Sequence, residues 1–132
     1  MANLSNPTLE IDLITGLPDQ AIVTATVNVE LEPFDTFLIA GGLDLELRSE
    51  LKGEDGGLNG TDEGLYLFPT QNITTGGTYT FQAIVSLGTL NEDRGLFNGG
   101  DEVYNNFSLV STSNLFPLNT QLSSPIIEGS FG

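Results

Sequence analysis

Residues Ala21–Leu31, AIVTATVNVEL, form the clearest alternating stretch of the chain. Every second position from Val23 to Leu31 is apolar, and the positions between them carry Thr, Asn and Glu. A period of two is that of a strand with one buried and one solvated face. Val, Ile and Thr also favour strands, because their branched side chains pack well on a pleated surface. The stretch therefore predicts a long, half-buried β-strand.

The same alternation recurs on both sides of this strand. It is present in four further segments: 9–14, Leu43–Leu51, Gly77–Thr89 and Phe107–Thr112. The segment LDLELRSEL contains good helix formers, but its period of two favours a strand. A shorter strand is predicted at Leu65–Phe68, and the glycine-containing segments 16–19 and 72–77 are predicted to be turns. No stretch gives a clear helical pattern, and the short apolar run 34–40 is left without an assignment.

About seven short strands separated by turn signals are typical of an antiparallel β-sandwich. We therefore predict an all-β, immunoglobulin-like sandwich spanning residues 7–112. Residues 113–132, rich in Ser, Asn, Gly and Pro, are predicted to be a C-terminal extension. This tail either adds an edge strand around residues 121–128 or serves as an interaction arm.

Composition limits the possible partners. The chain has 132 residues, of which 39% are hydrophobic, which is sufficient for one domain with a packed core. It has 18 acidic residues and only three basic ones, which gives a formal charge of −15. Such a chain is repelled by nucleic acid and by anionic lipid. The expected partners are cations or basic protein surfaces, unless the acidity serves solubility alone.

The sequence also limits the compartment and the chemistry. The N-terminal segment has no basic and apolar signal-peptide pattern, and no apolar run is long enough to span a bilayer. We predict an extracellular or cell-surface location without such a signal, or alternatively a virion. The absence of histidine and cysteine excludes histidine-dependent nucleophilic catalysis and thiolate metal sites. Carboxylate pairs are present, but they lie in glycine-rich segments of a chain that has no tryptophan, so we predict that the protein is not an enzyme.

Calcium suits two acidic, glycine-rich segments, Lys52–Gly64 and Asn91–Asn106. Calcium takes six to eight oxygen ligands in a flexible geometry, and both segments supply carboxylate and amide oxygens. The candidate ligands are Asp55, Asn59, Asp62, Glu63, Asp93, Asn98, Asp101 and Glu102. Neither segment has EF-hand spacing, and the alternative is that Asp, Asn and Gly are simply turn residues.

Two further positions have predicted structural roles. Asn105 and Asn106, placed just before a strand, are expected to hydrogen-bond the loop backbone and to fix its exit. Tyr79, which follows Gly76 and Gly77, is expected either to be a core residue or to form a tyrosine corner.

The order of these features resembles a known family. An extended opening after Pro7, the long Val/Thr strand, the GG-x-Y-x-F strand and an acidic segment that closes on Asp101–Asn106 (DEVYNN) are similar to the CARDB-type domains. These are immunoglobulin-like modules repeated in bacterial and archaeal surface proteins and linked by name to cell adhesion. The resemblance covers roughly residues 7–112. It implies a sandwich fold and a surface role; the long segment 52–64 and the tail depart from the family pattern.

Three functions are compatible with these features. We predict a non-catalytic structural or interaction module of a cell-surface or extracellular assembly, stabilised by calcium and self-associating through a strand edge or the tail. Its partners would be other protein subunits, in a homo-oligomer or as neighbours in a filament or particle. The alternatives are a virion structural protein, such as a capsid decoration or tail component, and a carbohydrate-binding module.

Overall fold

The computed structural model describes residues 2–14, 16–53, 63–86, 101–111 and 118–129. Within these ranges the chain forms nine strands and one helix. In chain order they are β1 (Asn3–Ile14), β2 (Leu17–Glu30), α1 (Pro33–Ala40), β3 (Leu45–Gly53), β4 (Glu63–Leu67), β5 (Gln71–Ile73), β6 (Gly77–Ser86), β7 (Asp101–Ser111), β8 (Asn119–Ser123) and β9 (Ile127–Gly129).

The strands form two antiparallel sheets. The first sheet has the order β1-β2-β6. The second has the order β4-β3-β7-β8, with β5 pairing with β3 and β9 pairing with β7. A single cluster of buried apolar residues, drawn from both sheets, lies between them. The predicted all-β antiparallel sandwich is therefore confirmed, and the alternation that predicted it follows from each strand having one face in this core.

The long strand predicted from Ala21–Leu31 supplies the centre of the first sheet. Val23, Ala25 and Val27 are completely buried, and their neighbours along β2 are only partly so. Aromatic rings fill the space between the sheets: the Phe81 ring centroid lies 5.8 Å from that of Phe68 and 6.3 Å from that of Phe107. These tilted contacts join β6 of the first sheet to β7 and to the residue that follows β4 in the second.

The helix α1 was not predicted, because the run 34–40 is too short and too apolar to show helical periodicity. Its start has a recognisable chemistry, however. Pro33 occupies the first turn, where its missing N–H costs nothing. The carboxylate of Asp35, which is 4% exposed, accepts a 2.8 Å hydrogen bond from the Glu32 backbone N–H. This E-P-x-D pattern is the sequence signal that identifies the helix start.

The first strand is longer than predicted. It begins at Asn3, ahead of Pro7, and includes an irregularity between Ser5 and Thr8. Asn6 in this irregularity has a φ of 51°, a conformation that asparagine tolerates better than most residues. The sheet therefore includes residues that precede the predicted boundary at residue 7.

The described part of the tail forms edge strands. Residues 119–123 pair with residues 106–110 of β7, and residues 127–129 pair with residues 101–103. One edge strand was predicted around residues 121–128, whereas the described part of the tail contributes two short strands, β8 and β9, to the second sheet.

The tyrosine-corner alternative for Tyr79 is supported. Its hydroxyl donates a 2.6 Å hydrogen bond to the carbonyl oxygen of Thr75, four residues upstream. This contact to the upstream backbone is the one that defines a tyrosine corner, and here it fixes the turn that leads into β6.

Asn105 and Asn106 do not lie at a loop exit, so that prediction was wrong. They lie in the middle of β7, which begins at Asp101, and they face opposite sides of the sheet. Asn105 is completely buried, and its side-chain amide donates a 2.8 Å hydrogen bond to the hydroxyl of Ser49 on β3. A polar residue at a core position breaks the apolar alternation, and for this reason the strand was predicted to start too late.

Candidate functional site

Three of the predicted calcium ligands lie on strands that start at one end of the second sheet. Glu63 is the first residue of β4, and Asp101 and Glu102 are the first two residues of β7. Gly53, the last residue of β3, is paired with Glu63 on one side and with Val103 on the other. The other predicted ligands lie outside the described residues: Asp55, Asn59, Asp62, Asp93 and Asn98.

The backbone register sets the spacing at this acidic end. The strands β4 and β7 flank β3, so their backbones are separated by about 10 Å, twice the usual strand spacing. The sequence prediction missed one further acidic residue here, Glu128, which β9 pairs directly with Glu102. Its signal was the pattern IIEG in the tail, a short strand with an acidic position. Over the ranges that the structure describes, no group of three or more acidic side chains could hold a metal ion.

The outer strands of the second sheet are interrupted at the same level. On one side, β4 ends at Leu67 and β5 begins at Gln71; on the other, β8 ends at Ser123 and β9 begins at Ile127. Backbone hydrogen bonds bridge both breaks. Phe68 N–H donates to Ser49 O at 3.0 Å, and Ser124 N–H donates to Asn105 O at 2.9 Å.

A buried polar cluster joins the two breaks through the core. It consists of Ser49, Asn105 and Ser124, which are all buried. In addition to the Asn105–Ser49 hydrogen bond, the Asn105 backbone N–H donates to the Ser124 hydroxyl at 2.9 Å. The Asn105 Oδ1 atom has no hydrogen-bond partner among the described residues. The hydrogen bonds of this cluster therefore connect β3, β7 and the residue after β8 at the position where both outer strands are interrupted.

A cavity of about 420 Å³ opens on the outer face of the second sheet, beside the break between β4 and β5. Arg48 on β3 lines it together with the neighbouring carboxylates Glu46 and Glu50. The Arg48 guanidinium donates to the Glu46 carboxylate at 3.1 Å. The remaining lining residues are mainly small polar ones, with one exposed leucine: Ser49, Leu67, Thr70, Asn106 and Ser108.

The cavity is lined by both hydrogen-bond donors and hydrogen-bond acceptors. Glu46 and Glu50 lie on one face of β3 but four residues apart, so their backbones are separated by about 13 Å. Together with the Arg48 guanidinium, these groups can hydrogen-bond a polar molecule. The sequence prediction did not single out Arg48, because it read the alternation of β3 only as a solvated face.

The free edge of β6 is the third candidate. Among the described strands, β6 pairs only with β2. Gln71 on β5 donates a 3.0 Å hydrogen bond from its side-chain amide to the Thr80 carbonyl oxygen. Because Gln71 belongs to the other sheet, this carbonyl points away from β2, towards the free edge.

The same direction applies to every second residue of β6. In an antiparallel ladder the N–H and C=O of one residue point to the same side, and this side alternates along the strand. Gln82 and Ile84 therefore present their backbone groups at the free edge, as Thr80 does. Phe81 and Ala83 direct theirs to β2, where their partners are Ala25 and Val23.

The two edges of the first sheet differ in character. The opposite edge, β1, carries Pro7, the irregularity at Asn6 and the charged residues Glu10 and Asp12. Proline, bulges and charges are the devices by which proteins prevent unwanted pairing at sheet edges. The sequence of β6, GTYTFQAIVS, has no charged residue and no proline, and Ile84 is 62% exposed. Sequence reasoning could not identify β6 as an edge strand of the first sheet.

Comparisons with known proteins add little to this description. No family model and no curated protein matches the chain. Two solved structures are weakly similar, those of β-glucosidase 3B from Thermotoga neapolitana in complex with glycerol and with glucose. Each has a TM-score of 0.38 and 12% sequence identity, over 97% and 98% of this chain and 17% of the other. A likeness at this level carries no functional argument, and the resemblance to CARDB-type domains stays a prediction.

Proposed function

We propose that this chain is a non-catalytic structural module that joins protein subunits in a cell-surface or extracellular assembly. The neutral edge of β6 is its joining surface, and it accepts a strand of a neighbouring subunit. Main-chain hydrogen bonds to the added strand provide affinity, and the side chains beside them provide selectivity.

The contrast between the two edges of the first sheet carries this proposal. In a chain with a net charge of −15, acidic residues are abundant enough to prevent strand pairing at a sheet edge. It places Glu10 and Asp12 on β1 and no charged residue on β6. An exposed edge without charge, proline or bulge is a template for pairing with another chain. In this chain, β6 is the edge of the first sheet to which a partner strand adds.

Sedimentation velocity over a range of protein concentrations tests the proposal. We expect the wild-type chain to form larger species as the concentration rises. The variant Gln82→Pro removes one outward-pointing N–H and should remain monomeric, because proline is tolerated at an edge position whose N–H is not used within the sheet. The wild-type chain remaining monomeric throughout would contradict the proposal.

The matched control is Gln82→Ala. The Gln82 side chain donates a 3.0 Å hydrogen bond to the Thr24 hydroxyl of β2, and both variants lose this contact. Only the proline variant also loses the backbone N–H. The alanine variant should therefore associate like the wild type. Equal loss of association in both variants would assign the effect to the side chain and contradict strand addition.

The cavity beside Arg48 supports a second candidate function, the binding of a neutral carbohydrate. Guanidinium, carboxylate, amide and hydroxyl groups together can both donate to and accept from sugar hydroxyls, and Leu67, 67% exposed, offers an apolar contact. A glycan array with the wild-type chain and with Arg48→Ala tests this. Binding that is lost in the variant supports the second candidate, and a blank array with the wild type eliminates it.

A further inference from the structure

We propose that the strand added at the β6 edge is β6 of a second copy of this chain, in an antiparallel pair related by a two-fold axis at Ala83. This inference rests on the proposed function and specifies its partner. The result would be a continuous six-stranded sheet across two subunits, β1-β2-β6 followed by the same strands in reverse order. A closed two-fold contact uses the same surface on both copies.

The positions of the outward-pointing backbone groups indicate this register. The Thr80 carbonyl is already bonded to Gln71, so the central outward-pointing groups that have no partner among the described residues are those of Gln82 and Ile84. With the axis at Ala83, Gln82 of each copy lies opposite Ile84 of the other. Both residues direct their N–H and C=O to the partner, and each such pair exchanges two hydrogen bonds.

Charge indicates why the partner is a second copy. Two chains of charge −15 repel each other wherever their acidic surfaces meet. The ten residues of β6 include none that is charged, so here the copies can approach with the least repulsion. A basic partner would be expected to bind an acidic surface instead. The two cases respond to salt in opposite ways, because screening weakens repulsion between copies and weakens attraction to a basic partner.

The side chain at the axis permits the close approach. Residues opposite each other in a pair that is not hydrogen-bonded have Cα atoms about 4.5 Å apart. Ala83 occupies this position in both copies and is half-buried on the inner face, where its small side chain avoids a clash. The distance lies within the range that a disulfide bridges, about 4.4–6.8 Å.

Single-cysteine cross-linking tests the register, because the natural chain contains no cysteine. The variant Ala83→Cys should form a disulfide-linked dimer on mild oxidation. The control Thr8→Cys is at an exposed position of the opposite edge strand and should remain largely monomeric under the same conditions. The wild-type dimer should also become tighter as the salt concentration rises. Equal cross-linking of the two variants would overturn the inference.

A second experiment keeps the inference testable if Ala83→Cys does not fold. A mixture of Gln82→Cys and Ile84→Cys copies should yield mainly the mixed dimer, since each residue lies opposite the other. Predominance of either homodimer would indicate a different register and overturn the inference. If the wild type associates in sedimentation but these cross-links fail, the proposed joining function stands and the two-fold pairing is wrong. If the wild type never associates, both are wrong.

Discussion

The side-chain amide of Gln71, on an edge strand of one sheet, donates a 3.0 Å hydrogen bond to the Thr80 carbonyl oxygen, on an edge strand of the other. This bond joins the two sheets at their open side. It also occupies the Thr80 carbonyl, one backbone acceptor of the β6 edge. The backbone groups of Gln82 and Ile84, further along the strand, are not part of this bond. Gln71 thereby marks one limit of the surface that we propose for assembly.

The variant Gln71→Ala should distinguish the contribution of this bond to stability from its effect on association. A hydrogen bond at a partly exposed site contributes about 0.5–1.5 kcal/mol, so the free energy of unfolding should fall by that amount. Association of the chain should be unchanged or tighter, because the Thr80 carbonyl becomes available to a partner strand. Denaturant unfolding measures the first effect and sedimentation the second. Weaker association would show that Gln71 supports the joining surface and does not limit it.

The variant Ser49→Ala should be clearly destabilising. It removes the acceptor of the buried Asn105 amide, and leaving such a donor unpaired costs about 1–3 kcal/mol. The control is Ser123→Ala, which removes an exposed hydrogen bond of 3.2 Å to Asn106 and should change the free energy of unfolding by less than about 0.5 kcal/mol. Equal effects in denaturant unfolding would contradict a role for the buried cluster in stability.

The variant Tyr79→Phe should lose the hydrogen bond to Thr75 and destabilise the fold by about 1 kcal/mol. The matched control is Tyr66→Phe. The Tyr66 ring packs edge-on against Phe68 with centroids 5.0 Å apart, a contact that phenylalanine retains. Thermal unfolding should therefore show a lower midpoint for the first variant than for the second. The same midpoint for both variants would contradict a stabilising role for the Tyr79–Thr75 hydrogen bond.

Calcium binding is tested by thermal unfolding in calcium and in chelator. If either acidic segment binds calcium, a concentration 100 times the dissociation constant should add about 2.7 kcal/mol to the free energy of unfolding. The variant Glu102→Gln removes a predicted ligand carboxylate and should reduce the gain. Identical melting curves for the wild-type chain in calcium and in chelator would contradict the predicted calcium site.

The sequence was sufficient to predict the sandwich and its longer strands, but not how the strands pair; the segments 16–19 and 72–77, predicted as turns, contain the start of β2 and part of β5. Alternation in β2 and β3 revealed which residues face the core, because every second side chain of a half-buried strand must be apolar. It failed at Asn105, where a hydrogen bond to Ser49 makes a buried polar residue acceptable. It also could not identify β6 as an edge strand, because edge position depends on which strands pair across the whole chain. The joining surface and the Arg48 cavity both follow from that pairing.

Hydrogen exchange at the backbone amides of β6 tests assembly through this edge residue by residue. We expect the amides of Gln82 and Ile84 to exchange rapidly in dilute solution and to become protected at high protein concentration. The amides of Phe81 and Ala83, which are bonded to β2, should be protected at both concentrations and serve as internal controls. Rapid exchange of Gln82 and Ile84 at a concentration where the chain is demonstrably associated would contradict assembly through this edge.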